Sequence, residues 1–156
     1  LRASPFELRD ATPDDAAYLA AHLRESDRLE VSANSDDIEA TIRRSIAAST
    51  ICSVAQLDGR PVFVIGCAPC DRPGVGVPWL LGTDEVTPHG GALTRITKSY
   101  VRQFLETWPV LLNAVDERNV VSVRWLEAIG FTIGEPIPFG RKGERFHIFT
   151  RERAYV

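Results

Sequence analysis

Apolar and polar residues alternate in Phe6-Glu7-Leu8-Arg9, the period of a half-buried strand. Thr12-Pro13-Asp14-Asp15 then supplies an N-cap, a proline at the first helical position and acidic charge for the dipole, which predicts a helix to about Leu23. Ile38, Ile42 and Ile46 recur every fourth residue after Ser35-Asp36-Asp37 and predict a second amphipathic helix. The polar stretch Arg24 to Arg28 lies between the two helices and reads as connection. Ile51 to Leu57 and Pro61 to Cys67 are β-rich runs joined by Asp58-Gly59-Arg60, a hairpin signature.

Gly74 to Leu81 is a further apolar run, interrupted by Pro78, which has no N–H for a sheet ladder and so implies an edge, a bulge or a splay. Thr83 to Gly91 has the composition of a loop. Leu93, Ile96, Tyr100 and Phe104 follow at helical spacing and predict a third helix ending near Trp108-Pro109. Val110 to Val115 reads as a short buried strand, Asn119 to Ile129 as a helix stopped by Gly130, and Phe131 to Ile133 and Phe146 to Phe149 as the last two strands. The order β-α-α-β-β-β-α-β-α-β-β mixes hairpins with crossover helices. It predicts an α+β sandwich: a mixed, mostly antiparallel sheet with helices on both faces.

At 156 residues the chain fits one domain, residues 1–156, able to bury roughly 70% of the surface that it exposes when unfolded. A net charge of -3 argues against general binding to nucleic acid or anionic membrane. No apolar run approaches the roughly 20 residues of a membrane span, and the N-terminal residues lack a signal-peptide pattern, so the expected setting is cytosolic or a particle assembled in the cytosol. Cys52, Cys67 and Cys70 are odd in number, which fits reduced thiols. Cys67 and Cys70 have a Cys-x-x-Cys spacing, but no second pair follows to complete a tetrahedral site, and no metal is expected.

The stretch from Asp116 to Phe131 carries Asn119, Ser122, Leu126, Gly130 and Phe131 at the spacing of a conserved helix in the GNAT acyltransferases, which it resembles. The element order is also that of the GNAT fold. The resemblance implies that the strand through Leu80, Leu81 and Gly82 parts from its neighbour to admit the pantetheine of acetyl-CoA. It further implies that Gly90, Gly91 and Ala92 face the pyrophosphate at a helix entrance, where free N–H groups and the helix dipole favour anions. Asn119 and Ser122 would contact the cofactor arm, although Asn119 is equally suited to capping its helix. In the same family a Tyr usually protonates the departing thiolate. Leu126 stands in its place and has no exchangeable proton. The family's Arg/Gln-x-x-Gly-x-Gly/Ala loop is also altered, to Thr87-Pro88-His89-Gly90-Gly91-Ala92.

Candidates for the missing acid or base are Asp84 and Glu85, just after the fourth strand, then His89 and Asp116, with His147 and His22 weaker. Leu23 to Val31, Gly76 to Asp84, Trp108-Pro109 and Val115 to Leu126 together resemble a narrower group, the tailed-phage proteins related to internal virion protein A. That resemblance implies a virion or assembly-associated component with a vestigial or repurposed acyl-CoA site, found in the host cytoplasm and in the particle, with phage structural proteins or its own copies as partners. Contact surfaces would be Arg24 to Arg28, Asp71 to Gly76 and the strands carrying Arg141, Lys142, Arg151 and Arg153. An active acetyl-CoA-dependent N-acetyltransferase is the alternative. A ligand-sensing or protein-binding module that uses Trp79, Trp108 and Trp125 as exposed aromatics in the same cleft is the third reading.

Overall fold

The computed structural model describes residues 4–154. Its elements run β1 (Glu7–Asp10), α1 (Asp15–His22), α2 (Glu25–Ser32), α3 (Ile38–Ala48), β2 (Ile51–Leu57), β3 (Arg60–Pro69), β4 (Val75–Gly82), a 3-10 segment (Asp84–His89), α4 (Gly90–Thr107), β5 (Val110–Asp116), α5 (Val120–Ala128), β6 (Thr132–Pro138) and β7 (Arg145–Glu152). The strands form one seven-stranded sheet in the order β1-β2-β3-β4-β5-β7-β6. Every neighbouring pair is antiparallel except β4 with β5, which is parallel. The α+β architecture read from the pattern of elements is therefore the one observed.

Alternation along β3 sorts the core into two halves. Val54 and Val64 face Leu19, Ile42 and Ile46 of α1 and α3, whereas Phe63 and Ile65 face Phe104, Leu111 and Leu126 on the side of α4 and α5. Helices thus cover both faces of the sheet. Ile42 is fully buried, so its truncation to Ala would cost about 2–5 kcal/mol.

Some boundaries differ from the sequence expectations for identifiable reasons. Asp15 does not serve the dipole from the surface: it is buried, takes Arg9 Nη2 at 2.6 Å and also accepts from Thr12 N, and α1 begins there, later than the expected start at Pro13. Leu8 on edge strand β1 is half exposed, so that strand is not half-buried by alternation. The Thr83 to Gly91 segment is not irregular, because Thr83 Oγ1 caps Glu85 N and starts the 3-10 segment. Arg24 to Arg28 is not a connection either, since it begins the additional helix α2.

The sheet is nearly divided in the middle. β4 and β5 pair only at Val75 with Val110 and Gly76 with Leu111. Beyond that point Pro78 has no N–H to offer, and its carbonyl accepts instead from Asn113 Nδ2 at 2.7 Å. The strands diverge toward their C-terminal ends, where α4 and α5 begin.

Candidate functional site

A cleft of about 790 Å³ occupies the space between the diverging strands. Ile42 and Ser45 of α3 line it from one face of the sheet, and Leu93, Thr94, Ser122 and Trp125 of α4 and α5 line it from the other. It therefore passes through the sheet and can bring reactants together from opposite faces. Parallel strands place their carboxyl ends side by side, the common location of ligand sites in sheets with crossover helices.

The main chain of β4 supplies the inner wall. Strand alternation turns Gly76, Pro78, Leu80 and Gly82 toward β5. Gly76 is paired, Pro78 is bonded to Asn113, and Gly82 is held at both groups, its N–H by Asp27 and its carbonyl by Arg24 N. Leu80 alone keeps an amide N–H and a carbonyl without a partner on the cleft side among the described residues.

Helix α2 closes the open end of the divergence. Asp27 Oδ2 accepts from Gly82 N at 2.8 Å, at the end of β4. Glu30 Oε1, one helical turn later, accepts from Asp116 N and from Asn119 Nδ2, both at 3.2 Å, at the end of β5 and the start of α5. Asp27 is almost fully buried and paired with Arg24 at 2.8 Å, yet burial pushes its carboxyl up further than Arg24 and Gly82 N draw it down. Glu30 has no cationic partner among the described residues. Burial first, then the neighbouring Asp27, raises its carboxyl to about 7. Its Oε2 accepts no hydrogen bond among the described residues and is not sealed from solvent.

A carboxyl that changes charge near neutrality, beside a cleft, has the properties of a general base. Sequence reading passed over it because Glu30 lies in a stretch with no apolar period. The available signal was the placement of Asp27 and Glu30 three residues apart, which puts both on one face of a helix.

The expected acids are placed elsewhere. Glu85 forms an exposed ion pair with Arg60 at 2.6 Å, which holds its carboxyl below the usual range, and Asp84 is exposed beside it; neither lines the cleft. Asp116 is buried, and its hydrogen bonds to the Arg118 guanidinium keep it charged well below neutrality. His89 packs edge-on against Phe6, His22 bonds to Tyr18 O, and His147 bonds to Gly134 O at 2.8 Å.

The residues expected to hold a cofactor lie largely together. Leu80, Leu81, Gly90 and Ser122 line the cleft, Gly82 is buried at its end and Ala92 is buried in the first turn of α4. His89 makes no side-chain cap to α4, leaving the first N–H groups of an 18-residue helix without a side-chain acceptor. A Cβ placed on Gly90 would meet nothing within 4 Å, so there is open space at that entrance, and Gly91 is exposed beside it. A long thioester carrying phosphates fits this arrangement: phosphates at the entrance to α4, and the acyl end beside Leu80. Asn119 caps α5 by accepting from Ser122 N at 3.3 Å, and its side-chain N–H donates to Glu30 Oε1 at 3.2 Å; it does not line the cleft.

Leu126 is buried in the core with Ile129 and Phe131 and also lines the cleft. Trp125 Nε1 donates to Thr94 Oγ1 at 3.0 Å and ties α5 to α4. Trp79 Nε1 donates to Ser49 Oγ at 2.8 Å, and its indole lies so close to Gly66 that a Cβ there would come within 2.8 Å. Trp108 is buried, not exposed, packed over Gly76. The expected contact cations are also engaged internally: Arg151 donates to Ile129 O at 2.9 Å, Arg153 to Leu105 O at 2.6 Å and Arg141 to Ser32 O at 3.0 Å. Burial drives the Cys52 and Cys67 thiols up to about 12, which keeps them protonated. Among the described residues no group of three or more His, Cys, Asp or Glu side chains is arranged to hold a metal, and no helix is long and apolar enough to cross a membrane.

The chain matches no protein-family model and no curated protein sequence. Its structure is similar to that of Ard1 from Thermoplasma volcanium, with a TM-score of 0.72 and 17% identity over 97% of this chain and 99% of that one. Ribosomal-protein-alanine N-acetyltransferase from Brucella melitensis gives 0.71 and 17% over 94% and 99%. An aminoglycoside acetyltransferase, AAC(6')-Ib, solved with coenzyme A, gives 0.68 and 19% over 95% of both chains. The fold is the α+β fold of the GNAT acetyltransferases. At these identities the likeness extends to architecture and leaves the chemistry to be argued from the site.

Proposed function

We propose that this chain is an acyl-CoA-dependent N-acyltransferase, with acetyl-CoA the simplest donor, in which Glu30 is the general base. The observation that carries the reading is the position of Glu30 at the open end of the β4–β5 divergence, on a cleft that also exposes the free N–H of Leu80. The solved neighbours include a protein bound to coenzyme A, and the uncapped entrance to α4 suits the same donor.

In this reading the first turn of α4, at Gly90, Gly91 and Ala92, binds the phosphates. Leu80 N–H donates to the thioester oxygen as negative charge develops there. Glu30 Oε2 takes the proton from the acceptor amine as its nitrogen bonds to the acyl carbon. The carbon–sulfur bond then breaks, and the proton held by Glu30 is available, directly or through water, to the leaving thiolate. Leu126 can donate nothing, so the acid step belongs to a group that titrates near neutrality. The net change is one amide formed, one thioester cleaved and one proton moved from nitrogen to sulfur.

Calorimetric titration with acetyl-CoA, followed by measurement of thiol release over an amine panel, tests this reading. Saturable binding and release that depends on Glu30 are expected. Absence of binding at millimolar acetyl-CoA would remove the reading.

A second reading is favoured by two features: the buried Leu126 at the usual Tyr position, and the Trp125–Thr94 bond that ties α4 to α5 beside the cleft. It makes the acyl-CoA site vestigial and the chain a virion or assembly-associated protein, a role supported by sequence resemblance alone. That reading expects no acetyl-CoA binding together with co-sedimentation of the chain with phage particles.

A further inference from the structure

The half of the cleft between α2, α3 and the β6–β7 hairpin is where an acceptor would sit, and its charges can be balanced completely. Four charged side chains line the cleft: Arg24, Asp27, Glu30 and Arg44. Arg24 and Asp27 cancel as an ion pair at 2.8 Å. Glu30 is bonded only by uncharged donors, and Arg44 joins no salt bridge among the described residues. The neighbouring Arg43 takes Asp14 instead. What remains is one acid and one base, each without a counter-ion, on the same cavity.

Arg44 is positioned to serve the cavity from α3. Its Nη2 donates to Thr41 Oγ1 at 3.3 Å, one turn back, and Thr41, Arg44 and Ser45 all line the cleft from that helix. Arg44 is exposed, so its planar fork can reach a ligand without breaking an internal ion pair. Apolar side chains share the lining there with Asn34, Ser35, Thr41 and Ser45. Ile42 is fully buried, Trp79 is half buried, and Phe139 stands 48% exposed against Phe146 with ring centres 5.2 Å apart. A large aromatic left half in water on a cavity wall is a surface available to a ligand.

We infer that the acceptor is a compact zwitterion, a primary amine that also carries a carboxylate on an apolar body, of the class of apolar or aromatic α-amino acids. Glu30 receives the amine, Arg44 the carboxylate, and Trp79 and Phe139 the side chain. The inference rests on the N-acyltransferase reading for the fate of the amine, but the recognition itself does not require turnover.

The test compares L-phenylalanine, its amide, phenylethylamine and the corresponding aminophosphonate on the full chain and on Arg44→Gln. Each compound is measured for binding without acetyl-CoA, by calorimetry or ligand-observed NMR, and for thiol release with it. L-Phenylalanine is expected to bind about 10- to 100-fold tighter than phenylethylamine or the amide, the contribution of one charge-assisted hydrogen bond. Arg44→Gln is expected to erase that difference while leaving phenylethylamine binding unchanged. An aminophosphonate that binds tighter than the carboxylate would reassign the anionic group and overturn the amino-acid class. Equal affinity with and without the carboxylate, or an equal loss for all compounds in Arg44→Gln, overturns the inference as a whole. Arg44-dependent binding without thiol release leaves the inference standing and removes the transfer reading; release from plain amines with no Arg44 dependence does the reverse.

Discussion

Asp27 and Glu30, one turn apart on the same face of α2, hold the two diverging strands from a single helix: Asp27 accepts from Gly82 N on β4 at 2.8 Å, and Glu30 from Asp116 N on β5 at 3.2 Å. Main-chain donors that a continuous sheet would have paired with carbonyls are here satisfied by carboxylates. The divergence is thereby fixed in width, and an acid is placed at its open end. Building the strap and the base from neighbouring turns couples the shape of the cleft to its chemistry.

Replacing Glu30 by Gln keeps an oxygen to accept from Asp116 N and Asn119 but removes the exchangeable carboxyl. On the proposed mechanism kcat should fall by about 10²–10⁴-fold, the usual weight of a general base. The rate profile should lose its limb near pH 7, where Glu30 titrates. Affinity for acetyl-CoA should be unchanged, since the donor is held elsewhere. Steady-state rates from pH 5.5 to 9 check all three, and a variant that retains the limb would assign the base to another group.

The same substitution has an opposite effect on stability. The Glu30 carboxyl titrates at about 7 in the folded chain against 4.5 for an ordinary glutamate. The folded state therefore holds the proton more tightly, so the contribution is fully present below about 4.5 and is lost as pH rises through 7. At pH 8 Glu30→Gln should be more stable than the parent by about 3 kcal/mol, and at pH 4.5 the two should converge. Urea denaturation at both values measures the difference. Asp27, Asp116 and Asp15 titrate in both proteins and cancel in the comparison to first order.

Asn119 connects the cap of α5 to the same carboxyl. Its side-chain N–H favours the charged form of Glu30, and its Oδ1 holds Ser122 N. Asn119→Ala should cost about 0.5–2 kcal/mol as a lost cap. It should also move the acidic limb of the rate profile to higher pH, because Glu30 loses a donor that lowers its pKa. A structural cap alone would show the first change without the second, so paired denaturation and pH–rate measurements separate the two roles.

What the sequence made visible and what it hid have a common physical origin. Pro78 announced the divergence because a missing N–H is a local property, and Asn119 with Gly130 marked the ends of α5 for the same reason: Gly130 adopts φ +108, which an L side chain rarely tolerates. Ile38, Ile42 and Ile46 exposed α3 through an apolar stripe. In α2 the relation is inverted, because Leu29 is 44% exposed while Asp27 is buried, so a search for apolar periodicity finds no helix there. Its inward face is acidic because it satisfies main-chain donors 55 and 86 residues away, at Gly82 and Asp116. Trp108 was misplaced at the surface for a related reason: the groove over Gly76 that receives it exists only once β4 and α4 have packed.

Gly90 provides a test in which stability and donor binding should move in opposite directions. It is the first residue of α4, and a side chain there would enter open space. An acid at the first turn of a helix interacts favourably with the dipole, so Gly90→Asp should leave the fold intact and add about 0.3–1 kcal/mol. If the N–H groups of that turn bind the phosphates of acetyl-CoA, the new carboxylate would occupy the anion position and repel them, weakening the donor by at least about tenfold. Gly90→Ala, which adds the same Cβ without the charge, should leave affinity within a few-fold of the parent. Thermal denaturation and acetyl-CoA calorimetry on the three proteins decide the matter. A more stable Gly90→Asp that binds acetyl-CoA as well as Gly90→Ala does would place the phosphates away from α4, and the donor would have to enter the cleft by another route.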